Sequence, residues 1–150
     1  MSHRRALTGA ALTLTLLAGC GGTLDVDTYP TVEGTEVDCK ALLADVPRVV
    51  ADRQAREVTN RIAAAWGDPP IILRCGVEDP EALKPTSQCF DVNGVGWLAE
   101  TTADGHLFTT IGRAFNVSVE VPDAYDPAAD ALADVAGAVK KHDPVEKPCV

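Results

Sequence analysis

The stretch FNVSVEV, residues 115–121, decides the fold class. Phe115, Val117, Val119 and Val121 alternate with Asn116, Ser118 and Glu120. A period of two sends successive side chains to opposite faces, so this is a strand with an apolar side and a polar side. Such a strand belongs in an antiparallel sheet with one face packed and one face wet. Working outward, IILRC (71–75) is a second short apolar run. CFDV, Asn93-Gly94 and VGWLAE read as a hairpin, because Asn-Gly takes the tight left-handed turn that strand twist prefers. Asp104-Gly105 marks another turn before HLFTTIG. The expected sheet is antiparallel, with four or five strands.

Two main helices are expected on its packed face. Residues 40–45 suggest a short helical turn. After Pro47, the residues Ala51, Ala55, Val58, Ile62 and Ala65 recur at helical spacing, with Asp52, Arg53, Arg56, Glu57 and Asn60 on the other side. Gly67 would end that helix in a left-handed conformation and Pro69-Pro70 would forbid its continuation. Near the C-terminus Asp126 suits an N-cap and Pro127 a first helical position. Ala128, Ala131, Leu132, Val135 and Val139 form the apolar stripe there, and Lys140, Lys141 and His142 sit where the helix dipole favours positive charge. The expected fold is therefore α+β, a two-layer sandwich with the helices on one face of the sheet.

The N-terminus reads as an export address. Arg4 and Arg5 precede an apolar run from Ala6 to Ala18, and Leu17-Ala18-Gly19-Cys20 has the form of a lipoprotein cleavage site. The run is shorter than the roughly 20 residues that span a bilayer. Residues 1–19 are thus expected to be a signal peptide removed from the mature chain, by the general secretory route rather than a twin-arginine one. Cys20 would carry a diacylglyceryl anchor, whose two chains hold a membrane where one would not. Residues 20–37, rich in Gly, Thr, Asp and Glu, read as a lipidated cysteine followed by a flexible acidic tether with a reach of about 20–25 Å. Asp25-x-Asp27 falls short of a calcium ligand set. Residues 38–150 would form a single extracytoplasmic domain.

The chain has five cysteines. With Cys20 lipidated, Cys39, Cys75, Cys89 and Cys149 remain, an even set that reads as two disulfides outside the cytoplasm. Three pairings are open. Cys75 ends one strand and Cys89 begins the next hairpin, while Cys39 and Cys149 bracket the domain, so Cys75–Cys89 and Cys39–Cys149 are expected. The formal net charge of −9 includes Arg4 and Arg5, so the mature chain is more acidic still. That charge repels phosphate backbones and anionic headgroups, which argues against a nucleic acid partner.

Cys39 with ALLADVP, then AAWGDPPIILRCGV, VNGVGW and VPDAYDPAADAL, resembles an actinobacterial lipoprotein family known as domain of unknown function 3515. The block from Trp66-Gly67-Asp68-Pro69-Pro70 to Arg74-Cys75-Gly76 is its most specific piece, and the resemblance covers most of residues 38–149. It implies an envelope lipoprotein with the four cysteines as a set, and no activity.

Chemical motifs are sparse. The sequence has no Gly-x-Ser-x-Gly, no His-Glu-x-x-His and no phosphate-binding glycine loop. His106 and His142 lack an identifiable triad partner. Arg74 alternates with Leu73 and Cys75 and so faces away from them. It could anchor an anionic ligand, or pair with one of the many acids. Trp97 could be a binding aromatic or a core residue. No metal or cofactor is expected. The reading is a non-enzymatic binding or interaction module, lipid-anchored at Cys20 to the outer face of the cytoplasmic membrane, whose partner is an envelope protein or a cell-wall component. The alternatives are a small-molecule-binding lipoprotein with Arg74 and Trp97 near a cleft, and a small envelope hydrolase using carboxylates.

Overall fold

The computed structural model describes residues 22–148. The expected signal peptide, Cys20 and Cys149 lie outside them. Among the described residues the elements are α1 (Glu36–Asp45), β1 (Val49–Val50), β2 (Arg53–Arg56), β3 (Ala63–Trp66), β4 (Ile71–Val77), β5 (Phe90–Val92), β6 (Val95–Thr101), β7 (Gly105–Thr110), β8 (Asn116–Pro122) and α2 (Ala129–His142). All strand pairs are antiparallel, in one eight-stranded sheet of order β1-β2-β3-β4-β8-β7-β6-β5. The expected four or five strands with two main helices is therefore corrected. The molecule is mostly sheet, with two short helices.

The difference lies in residues 47–66. Ala51 and Asp52 both take positive φ, 46° and 61°, and turn β1 into β2. The five-residue stripe that suggested a helix there contains three alanines, so a helix face would bury little apolar area. Of its members only Ala65 is buried. As strand β3, the same segment turns Trp66 into the helix-side core, and lays Ala63 and Ala65, also buried, on the opposite face beside Arg74 and Ile72 of β4. Trp66 is fully buried, and its Nε1 donates to the Pro47 carbonyl at 2.8 Å. Gly67 is left-handed, with φ 76°, but it turns the β3–β4 hairpin rather than ending a helix.

Other local signals hold. Asn93 and Gly94 have φ 53° and 81° and join β5 to β6. In β8, Val117, Val119 and Val121 are fully buried, facing the core with Leu73, Phe108 and Trp97. On α2, Ala131, Leu132, Val135 and Val139 are buried. The helix starts later than Asp126-Pro127 suggested; that peptide is cis and the cap position is Ala128. Helices α1 and α2 pack on each other, α1 also on β4 and α2 on strands including β1, β5, β6 and β8.

The cysteine pairing is also corrected. Cys39 on α1 is bonded to Cys75 on β4, with Cα atoms 5.5 Å apart. That excludes Cys75–Cys89 and Cys39–Cys149. Helix α1 begins at Glu36, earlier than expected, so Cys39 lies in its first turn and is carried onto β4. Close approach needs Gly76. It sits at φ 73°, where the β4–β8 register slips, and a Cβ there would lie 2.4 Å from Thr35 Oγ1 and 3.2 Å from Cys39 Sγ. Cys89 is disulfide-bonded as well.

The segment expected as a tether does not hang free over residues 24–33. Leu24 bridges to Val58 and Thr31 to Val77. Val26 is 4% exposed. Leu24 N donates to Glu57 O at 2.8 Å, and Val32 N to Gly76 O at 2.8 Å. This strap runs across the sheet face that faces away from the helices.

Candidate functional site

The strap is held by Arg74. The guanidinium donates from Nη1 to Glu120 Oε2 at 3.1 Å and from Nε to the Asp27 carbonyl at 3.3 Å. Its Cζ lies 4.0 Å from the centre of the Tyr29 ring. Nearly all of the Arg74 side chain is buried, so the charge is committed to an ion pair, a carbonyl and an aromatic face. Trp97 lies on the opposite side of the sheet, fully buried in the core. The two binding candidates are therefore not brought together. His106 is on the helix-facing side of β7, near Phe108, and His142 ends α2 with Nε2 2.6 Å from Asp45 Oδ2.

Beside the strap the sheet carries a cleft of about 330 Å³. Strand register builds its floor. Ser118 on β8 pairs with Thr109 on β7, and in the next row Leu107 on β7 pairs with Glu100 on β6. Tyr29 and Pro30 of the strap form one side. The loop after β4 forms another, with Glu78, Asp79, Pro80 and Glu81. Glu78 N donates to Pro30 O at 3.1 Å, and Asn116 Nδ2 donates to Asp79 Oδ1 at 2.8 Å, so the loop is tied to both strap and sheet.

Two properties mark this cleft. The carboxylates of Glu78, Asp79, Glu81 and Glu100 have no ion-pair partner among the described residues, while Glu120 nearby is matched by Arg74. Ser118 is 1% exposed, and its Oγ has no hydrogen-bond partner among the described residues. A buried hydroxyl without a partner is uncommon and calls for an explanation. The sequence placed Asn116, Ser118 and Glu120 together on one polar face. What covers that face depends on long-range packing.

Residues 7–148 match the family described as "Protein of unknown function (DUF3515)". The chain belongs to the DUF3515 family. No curated protein and no solved structure matches it.

In this DUF3515 chain the block that carried the resemblance is the β3–β4 hairpin with its outer-face arginine, its bonded cysteine and its bulge glycine. A second polar cluster joins the end of α2 to the segment before β8. Asp143, just after α2, is fully buried, and its Oδ1 accepts from Ala114 N at 3.1 Å and Phe115 N at 3.3 Å. Arg113 Nη1 donates to the Asp143 carbonyl and Nη2 to Gly94 O at 2.9 Å. Asp143 Oδ2 has no hydrogen-bond partner among the described residues.

Burial pushes the Asp143 carboxyl up from 3.8 to about 6, against the lowering effect of the Phe115 and Ala114 amides and the Arg113 charge. The folded state thus holds this proton more tightly than the unfolded chain does. The stabilising contribution is complete below about pH 4 and is lost as pH rises through 6. A shift of that size corresponds to about 3 kcal/mol. Asp143→Asn keeps the Oδ1 acceptor and removes the charge. It is expected to match the parent chain near pH 3 and to exceed its stability by about 1–3 kcal/mol at pH 7.5, measured by denaturant unfolding at both pH values. An asparagine chain less stable at pH 7.5 would contradict this account.

Proposed function

We propose that this chain is a lipid-anchored, non-catalytic binding domain on the outer face of the cytoplasmic membrane, a bacterial envelope lipoprotein of the actinobacterial type. Leu17-Ala18-Gly19-Cys20 behind its charged and apolar segments supports the anchor. The observation that carries the binding role is the outer-face cleft, with an unpartnered, buried Ser118 hydroxyl at its floor. Its volume suits a small molecule or one long side chain of an envelope protein or wall component. The site's groups are carboxylates and hydroxyls on a hydrogen-bonded sheet, which suits recognition.

The test uses the full chain in a strain lacking its own copy. Cys20→Ala is expected to block lipid labelling and to release the chain or leave it unprocessed. Leu107→Arg, which fills the cleft with a long cation, is expected to abolish complementation of the envelope phenotype while the chain stays folded, exported and abundant. His106→Ala and His142→Ala are expected to complement fully. A Cys20→Ala chain processed and membrane-bound like the parent would overturn the anchor, and full complementation by Leu107→Arg would overturn the binding role.

A further inference from the structure

We propose that the outer-face cleft binds an alkylammonium group. The inference rests on the binding role above and gives it a ligand class. The cleft combines carboxylates that have no ion-pair partner among the described residues, a buried hydroxyl without a hydrogen-bond partner, and apolar wall residues.

The charge sets the sign of the ligand. Glu78, Glu81 and Glu100 project negative potential into a concave space, and the nearby guanidinium of Arg74 is already engaged by Glu120, Asp27 O and the Tyr29 ring. A cleft lined by one sign of charge concentrates the opposite sign. Anionic and neutral polar ligands gain nothing from that field.

Ser118 and the apolar wall set the shape. An ammonium carries three donors and no acceptor. A hydroxyl oxygen at the floor accepts one of them, which supplies the partner that Ser118 Oγ lacks. The carboxylates of Glu78, Glu81 and Glu100 along the lining supply the opposite charge. Leu107, Val77 and Pro80 offer apolar surface to the methylenes behind the head. A bare divalent ion fits less well, because among the described residues no three His, Cys, Asp or Glu side chains are grouped to hold one.

The ammonium could arrive on a free amine or on a lysine-type side chain, since both present the same head. The experiment uses full-length chain in nonionic micelles and two probes, 1,5-diaminopentane and Nα-acetyl-lysine methylamide. The readout is the amide chemical shifts of Leu107, Thr109 and Ser118. At least one probe is expected to shift them saturably, and the tighter one identifies the source. The Nζ-acetylated lysine probe, which has no charge, is expected to bind about tenfold more weakly or worse. Glu81→Gln with Glu100→Gln should weaken the charged probe about five- to tenfold, and Ser118→Ala about threefold. These side chains make no ion pair or Oγ hydrogen bond among the described residues, so the variants should keep the parent spectrum elsewhere.

The proposal is overturned if neither probe shifts the cleft amides. It is equally overturned if the acetylated probe binds as well as the charged one, or if the double glutamine variant binds unchanged. Loss of complementation by Leu107→Arg together with any of these results would remove the ammonium and leave the binding role standing. Full complementation by Leu107→Arg would remove the binding role itself.

Discussion

Replacing Cys39 and Cys75 together with alanine is expected to cost about 4 kcal/mol of folding stability. The bond joins residues 36 apart in sequence, and the chain-entropy relation assigns a loop of that length a stabilisation near that figure. Against the roughly 5–15 kcal/mol total of a typical domain, the loss is large. It should also be local in character. Helix α1 buries only Cys39 and Leu42, no Lys or Arg occupies its last turn, and its cap residue Thr35 makes no side-chain capping bond. Little else anchors it to β4. Denaturant unfolding measures the loss, and amide exchange should show α1 opening well before β4 and β8. A double-alanine chain within about 1 kcal/mol of the parent would show that α1 is held by packing instead.

Gly112→Ala is expected to be nearly as damaging, by about 3–5 kcal/mol. Gly112 has φ 72°, and a Cβ there would stand 1.8 Å from the Lys147 carbonyl oxygen. That oxygen belongs to backbone, so no rotamer change relieves the contact. The Gly112 carbonyl meanwhile accepts from Glu146 N and Lys147 N, both at 2.9 Å. Relief would require residues 145–147 to leave the surface, and those hydrogen bonds would go with them. Gly137→Ala provides the opposite sign in the same fold. Gly137 is inside α2 with nothing within 4 Å of its added Cβ, so alanine there should stabilise by about 0.5–1 kcal/mol. Thermal or denaturant midpoints of the two variants should move in opposite directions. Equal midpoints would defeat the steric argument at Gly112.

These glycines illustrate which parts of the fold were legible beforehand. Where a signal is local and strong, sequence and structure agree. The period-two run in β8, the Asn93-Gly94 turn and the apolar stripe of α2 each concern neighbours along the chain. The helix expected over residues 47–66 fails because its stripe is mostly alanine, and alanine spacing alone cannot compete with a strand that buries Trp66. Positive φ at Ala51 and Asp52 has no glycine to announce it. The disulfide pairing and the docking of residues 24–33 depend on distances between elements far apart in sequence. So does the cleft. Ser118 and Glu120 were visible as one polar face, but Leu107, Glu100 and the loop from Glu78 to Glu81 join them only through the register of β6, β7 and β8 and through the fold of the strap. Arg74 lies on the face that its alternation with Leu73 and Cys75 predicts. The partners that occupy it, Tyr29 and the Asp27 carbonyl, come from the segment expected to be loose.

The docked strap also sets a length. If Cys20 holds the lipid, the first fixed residue, Leu24, follows only four positions later. Fully extended, such a stretch reaches about 14 Å, comparable with the radius of gyration of a domain this size. The domain is then leashed close to the bilayer, and its stand-off is smaller than its own width. Tyr29 and Pro30, which wall the cleft, lie a few residues further along the same strand of chain. The cleft therefore samples a thin shell of space above the lipid headgroups. With that anchor, whatever fills it would be membrane-borne or would travel down to the membrane, because the domain would not extend outward to fetch it.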